Sequence, residues 1–413
     1  MLTEDERKTL DYFIENEKKF SFCPREIAKI DYSAVVISRN RCPYPAKDYQ
    51  KNPLTWCVES ILRQKLLPKE LIIINDCSDK PPIDYTDEIA PLFRGTCHRR
   101  GVDLRYHLNR ERENAAFARN RGAKMAKYDI LHFIDDDGVL RDEVSLGVLL
   151  FDRFVKNDPN GFLLNLPQNT RISHPAILIP QAEMGVIDKR DISLATNLIT
   201  RFPKEYIADN RPTVTMDGAT VFKPLLLDNF QGGSILADKT KILQMGGFPD
   251  YHSPISYGEE TGLAIRAAKR GWKIYYWPYN NLAAVHMSFG NPSGKTEFYG
   301  QDWLRGRSDG LSLSEMVKES IKPRVGTGMR VDRKVYFYIK IRNFALVLHE
   351  LDVNLIEKWA EKSRVDFVEK NDITFQDSKG SIDSEEERKR IWKAAMRDAR
   401  RGSCLSIKEI MKI

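Results

Sequence analysis

"LHFIDDDGVL", Leu131 to Leu140, runs from an apolar stretch straight into three adjacent carboxylates. Leu131, Phe133 and Ile134 read as a buried strand, and strand ends in open α/β sheets border the crevice where ligands bind. Asp135, Asp136 and Asp137 at such an end repel one another unless a cation or donor groups neutralise them. A solvated acidic turn is the competing reading of an isolated Asp triplet. The flanking sequence decides between the two.

Upstream, "YSAVVIS" (Tyr32 to Ser38), "ELIIIND" (Glu70 to Asp76), "DLRYHLN" and "DILHFI" are β-rich or continuous apolar runs with polar boundaries. Asn52 and Pro53 have the chemistry of a helix start, with Leu54, Cys57, Ile61 and Leu62 at helical spacing, and "ENAAFARNRGAKMAKY" predicts a second helix. The order β-α-β-(α)-β-α-β predicts an α/β fold with a doubly wound, largely parallel sheet. Asp76 and the Asp135–Asp137 triplet then stand at two strand ends on one carboxyl edge.

Downstream, Gly161 to Lys223 is less regular, with "GFLLNL" and "ATVFK" as short strands. "GGSILAD" and "KTKILQMGGFPD" follow, then a helix "GEETGLAIRAAKRG" and a strand "WKIYYWP". Past His286 the chain turns loop-like and polar before a helical C-terminal part. Thr3 with Glu6, and Ser384 with Glu387, have capping-box spacing at the two ends of the chain.

The chain has 413 residues, 42% hydrophobic and 30% charged, which suits one large α/β domain with additions. A net charge of +7 fits an anionic ligand or membrane surface and does not by itself indicate nucleic acid. Six cysteines without CxxC or zinc spacing read as reduced, packed thiols, and the acidic N-terminus shows no secretory signal, so a cytoplasmic protein is expected. "VYFYIKIRNFALVLHEL" carries Lys340 and Arg342 at its centre and reads as a packed helix rather than a membrane span.

Carboxylates on such an edge suit nucleotide-sugar chemistry. One accepts hydrogen bonds from the base or ribose, while others hold Mg²⁺ or Mn²⁺ against the diphosphate, where the ion neutralises the departing charge. The D-x-D spacing puts Asp135 and Asp137 on the same side of an extended segment.

These runs resemble a family. "AVVISRNRCPYP", "ELIIINDCSD" and "NAAFARNRGAKMAKYDILHFIDDD" look like the nucleotide-binding half of family 2 glycosyltransferases of the GT-A fold. "GGSILADKTKILQMGGFPD" and "YGEETGLAIRAAKRGWKIYYWP" with its following His look like the acceptor half, close to β-galactosyltransferases and polypeptide N-acetylgalactosaminyltransferases. The likeness spans about residues 32–290, with a helical segment before it (1–31) and a loop and helical extension after it (291–413).

The resemblance implies roles for individual residues. Asp76 would bind the base, with Ser38 and Asn40 bordering its pocket, and Asp136 would reach the ribose. Asp135 and Asp137 would hold Mn²⁺ or Mg²⁺, joined by His286. Arg110 and Arg119 would serve the base or diphosphate, an ordinary helix salt bridge being the alternative for Arg119. Gly232, Gly233, Gly246 and Gly247 read as backbone devices permitting positive φ or close approach of a sugar. Glu260 would be the base that deprotonates the acceptor, with Glu259 beside it binding donor or acceptor. An acidic pair at a helix start also has a purely structural reading. Glu at position 260 favours inversion over retention, though the family more often has Glu-Asp here. Trp303 reads as a candidate sugar platform, Trp272 and Trp277 as packing residues.

The sequence thus predicts a metal-dependent, inverting glycosyltransferase using a nucleotide sugar, a UDP-sugar first. A retaining enzyme of the same fold and a non-catalytic glycan-binding protein stand as alternatives, and a sugar nucleotidyltransferase is disfavoured because no glycine-rich phosphate loop follows the first strand. The acceptor stays open among a glycan, a lipid-linked and a protein acceptor, and no nucleic-acid partner is expected. Between Arg388 and Arg401 seven basic residues face one acid, a local charge of +6. That helix reads either as packing its apolar strip on the protein or as a peripheral attachment to an anionic membrane.

Overall fold

The computed structural model describes residues 29–39, 46–47, 53–77, 85–111, 113–136, 138–140, 144–166, 168–169, 213–216, 219–222, 224–227, 230, 232–254, 258–277, 284–286, 332–351, 357, 360–361, 363–369, 382 and 384–413. Strands β1 (Tyr32–Ser38), β2 (Glu70–Asn75), β3 (Asp103–Leu108) and β4 (Ile130–Asp135) lie where the apolar runs predict them. β1 pairs in parallel with β2 and β4, and β2 with β3, so four carboxyl ends share one edge. Ala34, Val35, Val36 and Leu71 to Ile74 have no exposed surface, as strands covered on both faces require. Helices α1 (Pro53–Leu62), α2 (Thr86–Ile89), α3 (Arg94–Arg99) and α4 (Ala115–Met125) form the connections.

The chain then runs through β5 (Gly138–Leu140), α5 (Val144–Leu150), β6 (Gly161–Asn165) and β7 (Gln168–Asn169). A hairpin of β8 (Thr213–Met216) and β9 (Ala219–Phe222) precedes β10 (Leu225–Leu227) and β11 (Ser234–Asp238). Helices α6 (Lys239–Gln244) and α7 (Glu259–Ala268) lead to β12 (Lys273–Tyr276) and β13 (Ala284–His286). Among the described residues the main sheet has eight strands in the order β10-β12-β6-β11-β4-β1-β2-β3. β11 enters antiparallel between β4 and β6, so its first residue, Ser234, stands at the carboxyl edge beside Ile134 and the strand runs away from that edge. Two apolar clusters cover the sheet. One gathers Leu54, Val58 and Ile61 of α1 with Val36 and Ile73, and the other gathers Ala118 of α4 and Leu263 of α7 with Val35 and Ile72.

A third cluster belongs to the C-terminal helices α8 (Arg333–Leu351), α9 (Glu385–Arg401) and α10 (Ile407–Ile410). α8 is the packed helix expected, with Arg342 fully buried. No described helix is long and apolar enough to cross a membrane. Ile391, Ala395, Met396 and Ala399 of α9 are buried in this cluster, so the strip is spent on packing. Ser384 caps α9 by accepting from the Glu387 amide at 3.1 Å, but the Glu387 carboxylate pairs with Lys334 instead of closing the expected box. Among the described residues a complete capping box is formed by Ser406 and Glu409. Thr3 and Glu6 lie outside the described residues. Cys57, Cys77, Cys97 and Cys404 are free thiols.

Candidate active site

Side chains join the carboxyl end of β1 to that of β4, and the end of β2 to that of β3. Ser38 Oγ donates to Asp136 Oδ2 at 2.7 Å and lies 3.2 Å from Thr86 Oγ1. Asp76 directly follows β2, and its amide donates to the Ser38 carbonyl at 2.9 Å. Its Oδ1 accepts from Asn109 Nδ2 at 2.9 Å and from the Glu113 amide at 3.1 Å. Asp76 and Asp136 are each 4% exposed, so these donors offset much of the cost of burying a carboxylate. Arg110 is exposed beside Asn109 and has no described contact through its guanidinium. Asn40 and Asp137 lie outside the described residues.

The decisive group is Arg119 on α4. The Asn114 side chain caps this helix by accepting from the Phe117 amide at 2.9 Å, a contact worth about 1 kcal/mol. Arg119 Nη1 lies 3.2 Å from Glu259 Oε1 and 3.4 Å from Glu260 Oε1, and Nη2 lies 3.4 Å from Asp135 Oδ1. Its guanidinium also sits over the Phe248 ring at 5.4 Å. All three acids come from other elements of the fold, so the helix salt bridge weighed for Arg119 is not what forms. One buried cation gathers the end of β4 and the start of α7.

The glycines expected as backbone devices act here. Gly233 has φ 104, and its carbonyl accepts from the Asp135 amide at 3.0 Å. At Gly232 a Cβ would stand 2.4 Å from Glu260 Oε1 and 2.8 Å from Arg119 Nη2. A side chain there would displace these two charged ends from their present positions.

Glu259 and Glu260 differ in surroundings. The Glu259 side chain is 6% exposed and the Glu260 side chain 23%. Among the described residues Glu259 Oε2 has no hydrogen-bond partner. Burial, then the neighbouring Glu260, pushes the Glu259 carboxyl above the usual range against the pull of Arg119. Glu260 is the more exposed of the two acids.

His286 ends β13, whose antiparallel register with β5 sets His286 opposite Gly138, the residue after Asp137. The backbone thus brings the histidine to the end of the Asp triplet. Trp277 is fully buried and Trp272 packs against Phe162, as packing residues should. Trp303 lies outside the described residues. Sequence reasoning missed Asn109 and Asn114. Asn109 follows β3 as Asp76 follows β2, and that shared edge position was the available signal.

Residues 33–175 match glycosyl transferase family 2. The family 2 segment contains Ser38, Asp76, Arg119 and Asp135 to Asp137, while Glu259, Glu260 and His286 lie beyond it. The sheet with helices C-terminal to it has the α/β architecture expected from the sequence. No curated protein matches the chain. Among solved structures, GalNAc-T7 with UDP, GalNAc and Mn²⁺ is 14% identical with TM-score 0.44, covering 80% of this chain and 54% of its own. The chain thus spans about half the length of that protein. TarS residues 1–349 of S. aureus are 12% identical with TM-score 0.39, covering 91% of this chain and 93% of theirs. The mannosyltransferase PcManGT from Pyrobaculum calidifontis, with GDP-Man and Mn²⁺, is 12% identical with TM-score 0.38, covering 87% and 84%.

Proposed function

We propose that the chain is a metal-dependent glycosyltransferase that moves a sugar from a nucleotide sugar, a UDP-sugar first, with inversion. The observation that carries this is the convergence of Asp135, Glu259 and Glu260 on the single buried Arg119, within a fold whose first half matches a glycosyltransferase family. The cluster leaves Asp135 and Glu260 partly open to solvent at a carboxyl edge, beside the Ser38–Asp136–Asp76 group, where ligands bind in such sheets.

Asp76 and Ser38 border the base, with Asn40 beside them, and Asp136 serves the ribose. Arg110 and Arg119 complement the diphosphate. Asp135, Asp137 and His286 would hold Mn²⁺ or Mg²⁺, and this donor set of carboxylates and one imidazole suits such an ion. Bound there, the ion would neutralise charge on the departing diphosphate. Glu260 takes the proton from the acceptor hydroxyl as it attacks the anomeric carbon, while Glu259, shut in with Arg119, orients the pair. Residues 32–290 form the transferase unit, with 1–31 before it and 291–413 after it. Glycan, lipid-linked and protein acceptors all fit this chemistry. Because the apolar strip of α9 is packed, peripheral contact with an anionic membrane rests on the exposed charges Lys389, Arg390, Lys393, Arg397 and Arg401.

A panel of UDP- and GDP-sugars with candidate acceptors, assayed for nucleoside diphosphate release with Mn²⁺, tests the proposal. Release from at least one donor is expected, and a product with the donor's own anomeric configuration would turn the mechanism to retention.

A further inference from the structure

Helix α8 lies outside the family 2 segment, yet it touches the acid helix α7 at both ends. Arg266, about two turns beyond Glu259, is held at two points by Glu350, Nε to Oε2 and Nη2 to Oε1, each at 2.7 Å. At the other end Gly258 caps α7 with φ 86, and a Cβ there would stand 3.1 Å from Val347 Cγ2. Asn343, Val347 and Glu350 follow the helical repeat and so share one face of α8.

The loop feeding α7 is held from the same helix. Arg342, fully buried, donates to the Tyr251 carbonyl at 2.7 Å and also to the Ser403 carbonyl. Asn343 Nδ2 donates to Ser253 Oγ at 3.1 Å. Asn114, the cap of the Arg119 helix, donates to the Ser253 carbonyl at 3.4 Å and to Asp250 Oδ1 at 2.7 Å. The Tyr251 hydroxyl is buried against Gly262 of α7, where a Cβ would come within 2.2 Å of it. One helix therefore braces α7, its feeding loop and, through Ser253, the start of α4.

We propose that α8 is a positioning element for the Glu259–Glu260 pair, and that Glu350 is its key positioning residue. Apolar packing alone leaves a helix free to turn or slide slightly, whereas a two-point guanidinium–carboxylate pair fixes both rotation and register. Glu260 sits at the first turn of α7, so a small rotation moves its carboxylate relative to Arg119 and the acceptor. A displacement of about 1 Å in a reacting group can cost about a hundredfold in rate. The inference rests on the reading of Glu260 as the base.

The test compares the full-length wild type with Glu350→Gln and with the charge-exchanged double variant Arg266→Glu/Glu350→Arg. For Glu350→Gln a fall in kcat of about tenfold or more is expected, with donor KM within about twofold and thermal stability nearly unchanged. The double variant should recover most of that loss. An unchanged kcat, a fall that merely follows loss of folded protein, or no recovery on charge exchange would overturn the proposal. Hydrogen exchange at the amides of residues 258–262 supplies a readout independent of activity. Glu350→Gln should speed it about tenfold or more, and unchanged exchange would likewise overturn the proposal. Absence of transfer by the wild type would count against the transferase reading alone, since the exchange result stands without a donor.

Discussion

Arg119 Nη1 stands 3.2 Å from Glu259 Oε1, a residue 140 positions further along the chain. This contact joins the helix after β3 to the helix before β12, and with Asp135 it makes one charged centre from two halves of the sequence. Removing the cation would leave Glu259 buried and uncompensated beside the partly exposed Asp135 and Glu260. Arg119→Met should cost about 3–5 kcal/mol in urea unfolding and abolish transfer. A loss below about 1 kcal/mol would mean that the acids do not depend on it.

Metal dependence follows from the Asp135, Asp137 and His286 assignment. EDTA should abolish transfer, and Mn²⁺ or Mg²⁺ should restore it. Asp137→Ala should lose nearly all activity while its circular dichroism and thermal midpoint stay near the wild type's. Full activity in EDTA would remove the assignment.

Glu260→Gln should keep donor binding and lower turnover about a hundredfold or more, the loss expected of a positioned base. If Glu259→Gln carries that loss while Glu260→Gln is near normal, the two roles are exchanged.

The buried Glu259 also predicts a pH trend in stability. Its folded-state pKa is raised by burial, then by Glu260, so its contribution is fully present below the ordinary carboxylate range and is lost as pH rises through the raised value. Glu259→Gln cannot titrate. Urea midpoints measured from about pH 4 to about pH 9 should therefore show the wild type losing stability relative to this variant as pH rises. The opposite slope would show a Glu259 that folds better ionised.

The basic face of α9 makes a separate prediction. Each basic residue near an anionic surface contributes about 1 kcal/mol, so salt-sensitive co-sedimentation with anionic but not neutral vesicles is expected. Glu substitutions at Lys389, Lys393 and Arg401 should abolish it. Binding that survives high salt, or that neutral vesicles share, would exclude a charge-only contact.

The sheet was legible because β2 carries an unbroken apolar run and β1 and β4 are, between their ends, apolar apart from Ser33 and His132, and burial on both faces demands that pattern. The Asp triplet was legible because acids at an apolar run's end are costly without a partner. Asn109 and Asn114 were not, because a single Asn has the same local appearance as a capping or turn residue anywhere. The role of Arg119 depends on acids 16 to 141 positions away, which no local pattern encodes. The failed box at Ser384 has the same cause, since Lys334 takes the Glu387 carboxylate from a distant helix.

Calorimetric titration of UDP and a panel of UDP- and GDP-sugars, with Mn²⁺ and with EDTA, tests the central claim without needing an acceptor. The account predicts Mn²⁺-dependent binding of at least one nucleotide sugar, lost in EDTA and weakened about tenfold or more in Asp76→Ala, where the base loses its carboxylate partner. A folded protein that binds none of them, or binds equally well in EDTA and in Asp76→Ala, would contradict it.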